Sequence, residues 1–199
     1  MRILGVDPGS RFTGYGCIDQ LGNQLRHVTH GTLRLPRTSG KSLVPFEERL
    51  LAIYNGLSEI IREFQPQIMV VEKVFIAKNP LSALKLGEAR GAAVLTGKIH
   101  QMELAEYNPT QVKLAIVGHG QAAKDQVAKM VQILIGPQEF STYDASDGLA
   151  LAICHAQFIR SIGKNQSAHL RSLQGLSKQR NKKRFTLAES VGATLPKKV

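Results

Sequence analysis

QIMVVEKVF, residues Gln67–Phe75, is the stretch that decides the fold. A near-continuous run of branched apolar residues is the mark of a strand buried on both faces, and such strands occur where helices cover both sides of a sheet. Just upstream, Phe46, Leu50, Ile53, Leu57, Ile60, Ile61 and Phe64 recur at helical spacing. They predict an amphipathic helix over Pro45–Phe64, ended by Gln65-Pro66. Further back, RILGVD, TGYGCID and QLRHVTHGTLRL, broken by PGS and LGN, predict a three-stranded meander. Downstream, Asn79-Pro80 is a cap and first-turn pair for a helix through LSALKLGEARGAAVLTGKIHQM. ELAEYNP then reads as a fifth short strand, and PTQVKLAIVG, KDQVAKMVQILIG and DASDGLALAICHAQFIR as three more helices. Strands followed by crossover helices make a layered α/β domain, a five-stranded sheet with helices on both faces.

The 199 residues, 43% apolar, suffice for one domain with a substantial core. That domain is read as residues 1–160, followed by a tail over 161–199. Lys and Arg outnumber Asp and Glu by 26 to 15, which points to a polyanionic partner. From Ser161 onward nine Lys or Arg face the single Glu189, so about +8 of the total +11 lies in the tail. Without a sustained apolar period, the tail is expected to be disordered or weakly helical, either a solvated terminus or a nucleic-acid contact. Cys17 and Cys154 are the only cysteines, which excludes a disulfide framework and a zinc-ligand spacing. No apolar run approaches the roughly 18 residues of a membrane span, and RILGVD leads in without a signal-peptide core, so a soluble, cytoplasmic protein is expected.

Four acids stand out. Asp7 closes the first predicted strand and precedes Pro8-Gly9-Ser10, a usual place for a site in an open α/β sheet, although an Asp before Pro-Gly also serves as a turn former. Glu72 is a charge inside a strand predicted to be buried, where it needs a cation or a buried Lys or Arg partner to offset desolvation. Asp144 and Asp147, three apart, share one helix face, while a first helical turn favours acids through its dipole in any case. Together the four form the all-oxygen ligand set that Mg2+ or Mn2+ prefers. Each is expected to ionise near the usual carboxylate value of about 4, and two divalent ions would neutralise the crowding. Two such ions roughly 4 Å apart activate an attacking water and stabilise the leaving 3′ oxygen at phosphorus.

Four segments carry a family resemblance: LGVDPGSRFTGYG at 4–16, VVEKVFIAKNPLSALKLGEARG at 70–91, YNPTQVKLAIVGHGQAAKDQV at 107–127 and DASDGLALAICH at 144–155. In order and spacing they resemble the RuvC family of Holliday junction resolvases, within the ribonuclease-H-like superfamily; the tail beyond Ser161 is not covered. The resemblance implies a mixed, ribonuclease-H-like sheet and a homodimer that nicks four-way DNA junctions in two strands of like polarity. It further implies Mg2+, with Mn2+ as a substitute, and the branch-migration proteins RuvA and RuvB as partners. Asp7, Glu72, Asp144 and Asp147 match the family's catalytic, metal-holding acids. Phe75 matches the aromatic that disturbs base stacking at the crossover, and Lys113 and Lys124 match basic positions near the cut phosphate, where a cation offsets developing charge.

Lys78, Lys85 and Arg90 are added as DNA-facing cations from their place beside Phe75. His155 shares the helix face of the acid pair, where a core histidine is the simpler reading. Lys73 departs from the neutral polar residue common in relatives. Ala83, Gly87 and Gly91, four apart, read either as a subunit contact or as gaps for large side chains of the same core. Two other functions compete: a junction-binding protein without catalysis, and an actin-like ATPase, since DPGSRFTG resembles that superfamily's phosphate loop. The latter needs two such domains, and 199 residues provide one.

Overall fold

The computed structural model describes residues 1–36, 44–73, 79–140 and 144–162. One compact unit spans Met1–Phe158 and a second Ile159–Val199, so most of the basic tail lies outside the described residues. The first unit is built on the strands β1 (Arg2–Asp7), β2 (Phe12–Leu21), β3 (Gln24–Arg34), β4 (Ile68–Glu72) and β5 (Glu103–Tyr107). Its helices are α1 (Phe46–Phe64), α2 (Pro80–Ile99), α3 (Pro109–Val117), α4 (Lys124–Ile135) and α5, residues 144–158 within this unit. The sheet runs β3-β2-β1-β4-β5, with the β3–β2 and β2–β1 pairs antiparallel and the β1–β4 and β4–β5 pairs parallel.

Alternation along each strand sorts the core. Leu4 and Val6 of β1 with Met69 and Val71 of β4 enter one cluster with Ile53, Leu57, Ile60 and Ile61 of α1 and Ala89 and Ala93 of α2. The opposite face takes Ile3, Gly5 and Asp7, and there the register pairs Gly5 with Val70 and Ile3 with Ile68. This second face is covered by α5, whose Leu149, Ala152 and Ile153 are fully buried.

Local chemistry sets the helix starts. Asn79 accepts hydrogen bonds from the backbone N–H groups of Leu81 and Ser82, with Pro80 at the first helical position. Asn108 and Gln111 form a reciprocal capping box that begins α3 directly after β5. At the end of β1 opposite Asp7, Asp19 holds Arg2 and Arg26 at 2.9 Å each, and Arg2 reaches the Phe64 carbonyl at 2.6 Å, tying β1 and β2 to the end of α1.

Candidate active site

Asp7 and Glu72 end two adjacent parallel strands. The ladder pairs Val6 with Val71, so the two carboxylates follow side by side at the C-terminal rim, on the face covered by α5. Glu72 is therefore not interior to a strand over Gln67–Phe75, as expected from sequence: it is the half-buried last residue of β4. Among the described residues no Lys or Arg forms an ion pair with its carboxylate.

The other two acids arrive on α5, and glycines let them come close. A methyl group on Gly14, the residue paired with Asp7, would lie 2.0 Å from the Asp144 carbonyl oxygen. One on Gly5 would lie 2.0 Å from the Gly148 carbonyl, and one on Gly148 would lie 2.6 Å from the Tyr15 backbone. The helix thus rests on bare backbone, and carboxylate oxygens of Asp7, Asp144 and Asp147 all fall within 4.8 Å of one another. These glycines were not singled out in the sequence; the signal available was Gly14 and Gly16 interrupting a strand pattern, a mark of close backbone approach.

A cleft of about 280 Å³ opens onto this trio, lined by Asp7, Glu72 and Asp147 together with Lys113 of α3 and Lys124 of α4. Lys124 reaches Asp147 at 3.2 Å. A cation at a helix N-terminus opposes the helix dipole, and here the carboxylate cluster offsets it: Asp147 above all holds the Lys124 ammonium above its ordinary value.

Asp7, Glu72 and Asp147 do not ionise as ordinary carboxylates. Burial first, then Glu72, Asp147 and Asp144, push Asp7 up to about 7. Burial, then Asp147, raises Glu72, and burial raises Asp147 against the pull of Lys124. The expectation of four groups near the usual value overlooked that three of them lose water while facing one another. An all-oxygen, half-buried and mutually repelling donor set is what a hard divalent cation fits, with Asp7, Asp144 and Asp147 as the converging ligands and Glu72 beside them.

The remaining predicted residues are placed unevenly. Arg90 is committed within the protein rather than solvated: its guanidinium pairs with Glu106 of β5 and donates to the Glu72 backbone carbonyl at 3.3 Å, strapping the end of β4. Lys85 lies over the Phe46 ring. Phe75 and Lys78 fall outside the described residues. His155 is a core histidine, with Nδ1 2.9 Å from the Tyr107 hydroxyl and Nε2 buried without a partner. The Lys73 side chain is exposed while its N–H donates to the Tyr107 carbonyl, and nothing in the structure explains its charge.

With this geometry in view, a model of the family described as "Crossover junction endodeoxyribonuclease RuvC" matches residues 3–155. The chain belongs to the RuvC family. Curated RuvC-family relatives include the crossover junction endodeoxyribonuclease of Syntrophotalea carbinolica, 51% identical over 78% of this chain and 94% of that protein. The Geobacter sulfurreducens enzyme is 50% identical over 78% of this chain and 92% of its own length. Among solved structures, Thermus thermophilus RuvC in complex with a Holliday junction substrate superposes with a TM-score of 0.72 at 31% identity, covering 81% of this chain and 96% of that one. The mixed five-stranded sheet is thus the ribonuclease-H-like fold of RuvC proteins. Among the described residues, no helix is long and apolar enough to cross a membrane.

Proposed function

We propose that this RuvC-family chain is a Mg2+-dependent endonuclease that resolves four-way DNA junctions by paired, symmetric nicks in strands of like polarity, in recombination and repair. The observation that carries the reading is the carboxylate trio within 4.8 Å, set beside Glu72, Lys113 and Lys124. Asp7, Asp144 and Asp147 hold the metal and Glu72 completes the set. When bound, divalent ions supply activation of water and stabilisation of the leaving 3′ oxygen. Lys113 and Lys124, which line the same cleft as the acids, hold the scissile phosphate and offset its growing charge. Phe75 and Lys78, on the connection from β4 to α2, work on the DNA at the crossover.

Two cuts require two sites, and the support for a homodimer is on α2. Leu84 and Leu95 are each 59% exposed, with Leu81 and Ile99 exposed on the same strip. Nothing lies within 4 Å of a methyl group built on Gly87 or Gly91, so among the described residues these small positions accommodate no side chain of their own core. Residues 1–160 act as the nuclease domain, and the basic segment after them adds sequence-independent phosphate contact. Unpaired, buried Cys17 and Cys154 agree with work in a reducing cytoplasm, beside RuvA and RuvB.

The test is a synthetic four-way junction and a linear duplex of the same sequence, each incubated with and without Mg2+. Paired nicks confined to the junction and dependent on the metal are expected, and Asp7→Asn should bind the junction but leave it uncut. Junction binding with no nicked product in any divalent metal would establish a non-catalytic junction-binding protein instead.

A further inference from the structure

The starts of α1 and α2 lie at the same end of the sheet as Asp7 and Glu72, because α1 leads into β4 from its N-terminal end and α2 leaves from its C-terminal end. There two cations from different helices converge on one ring: Arg49 Cζ and Lys85 Nζ each lie 5.8 Å from the centroid of Phe46. The ring quadrupole attracts each cation but does nothing to relieve the repulsion between them. Among the described residues neither cation has an ion pair, whereas Arg2, Arg26, Arg90 and Lys124 each hold a carboxylate. Glu47, Glu48 and Glu88, the acids nearest in sequence, do not pair with them.

Arg49 is also short of acceptors. Its Nη1 donates to the Ser10 carbonyl at 3.3 Å, in the turn that follows Asp7, while its Nε is buried with no partner. Two cations held at one ring, with no acid paired to either among the described residues, are half of an anion site. Guanidinium and ammonium groups in such an arrangement match the oxygens of a phosphodiester.

We infer that Phe46, Arg49 and Lys85 seat a backbone phosphate of the DNA strand entering the cleft, outside the phosphate that is cut. The inference rests on the endonuclease reading above and adds a point of attachment besides Lys113 and Lys124. Its role is to position the strand, since Arg49 reaches the turn after Asp7 and not the carboxylates themselves.

The test measures affinity for a synthetic four-way junction, without Mg2+, across a KCl series for the wild type, Lys85→Gln, Arg49→Gln and the double variant. The double variant should bind at least about tenfold more weakly near 0.1 M salt and lose about 0.9 from the slope of log affinity against log salt, the share of one phosphate contact. The same loss should appear on linear duplex, because a backbone phosphate carries no junction geometry. Lys85→Gln keeps the assignment testable if Arg49→Gln disturbs the Ser10 turn, and Lys85→Arg should restore the slope. An unchanged slope in both Lys85→Gln and the double variant, with a wild type that nicks junctions normally, overturns this inference alone. A wild type that neither binds nor nicks junctions overturns the endonuclease reading together with it.

Discussion

Asp7 is the residue on which the site turns, and its environment has a measurable consequence apart from catalysis. Its charged form loses water and faces three other acids, so folding without metal carries a penalty at neutral pH: a carboxyl pushed up to about 7 favours the protonated state. Asp7→Asn should therefore raise metal-free stability at pH 8 by ~1–2 kcal/mol, a gain of roughly 2–8 °C in melting temperature, while abolishing cutting. Calorimetry in EDTA checks the sign, and a lower melting temperature would contradict it. Asp19 behaves oppositely. The Arg2 hydrogen bonds hold it down at about 2, below its ordinary 3.8, so its stabilisation is complete above the ordinary value and is lost as pH falls through about 2. Urea unfolding of wild type and Asp19→Asn should show a clear difference at pH 7 that shrinks between about pH 4 and pH 2; a constant difference would mean the ion pair contributes nothing.

At the scale of elements, the decisive contact is α5 against β1 and β2. Gly5, Gly14, Gly16 and Gly148 leave the helix in contact with strand backbone, and that closeness brings Asp144 and Asp147 to Asp7. Gly148→Ala would place its methyl group 2.6 Å from the Tyr15 backbone, so α5 must shift outward. Overpacking of this kind costs ~1–3 kcal/mol. The effect on nicking should be larger than stability explains, about a hundredfold, because a misplacement of roughly 1 Å is enough for such a loss. Single-turnover cutting at a temperature where the variant is fully folded separates the two, and a rate near wild type would show that the glycine contact does not set the site. The Arg90 strap belongs to the same scale: it links α2 to the Glu72 carbonyl and to Glu106, so α2 and β5 together hold the end of β4.

For the whole molecule, the exposed apolar strip of α2 bears on assembly. An apolar helix face left uncovered by its own domain marks an interaction surface, and Leu84 and Leu95 flank the open positions Gly87 and Gly91. Leu95→Glu adds a charge at an exposed position, so the monomer fold should survive. For the proposed homodimer, sedimentation should show dimer for the wild type and monomer for the variant, and paired nicks should give way to single, uncoordinated ones. A dimer of unchanged affinity would place the interface elsewhere.

Much of this protein is set by short-range chemistry. The apolar run at β4, the helical spacing of α1, the Asn79-Pro80 cap of α2 and the strand-terminal position of Asp7 are legible in sequence, because periodicity and capping act over a few residues. The family resemblance reached the four acids and the two cleft lysines for the same reason, since each sits in a contiguous motif. Tertiary structure alone decided the rest. It moved Glu72 from a strand interior to a strand end, raised Asp7 to about 7, paired Arg90 with Glu106 and brought Arg49 and Lys85 onto Phe46. Each depends on burial or charge from partners distant in the chain, and no local pattern encodes which acid a cation will meet or how much water a carboxylate will lose.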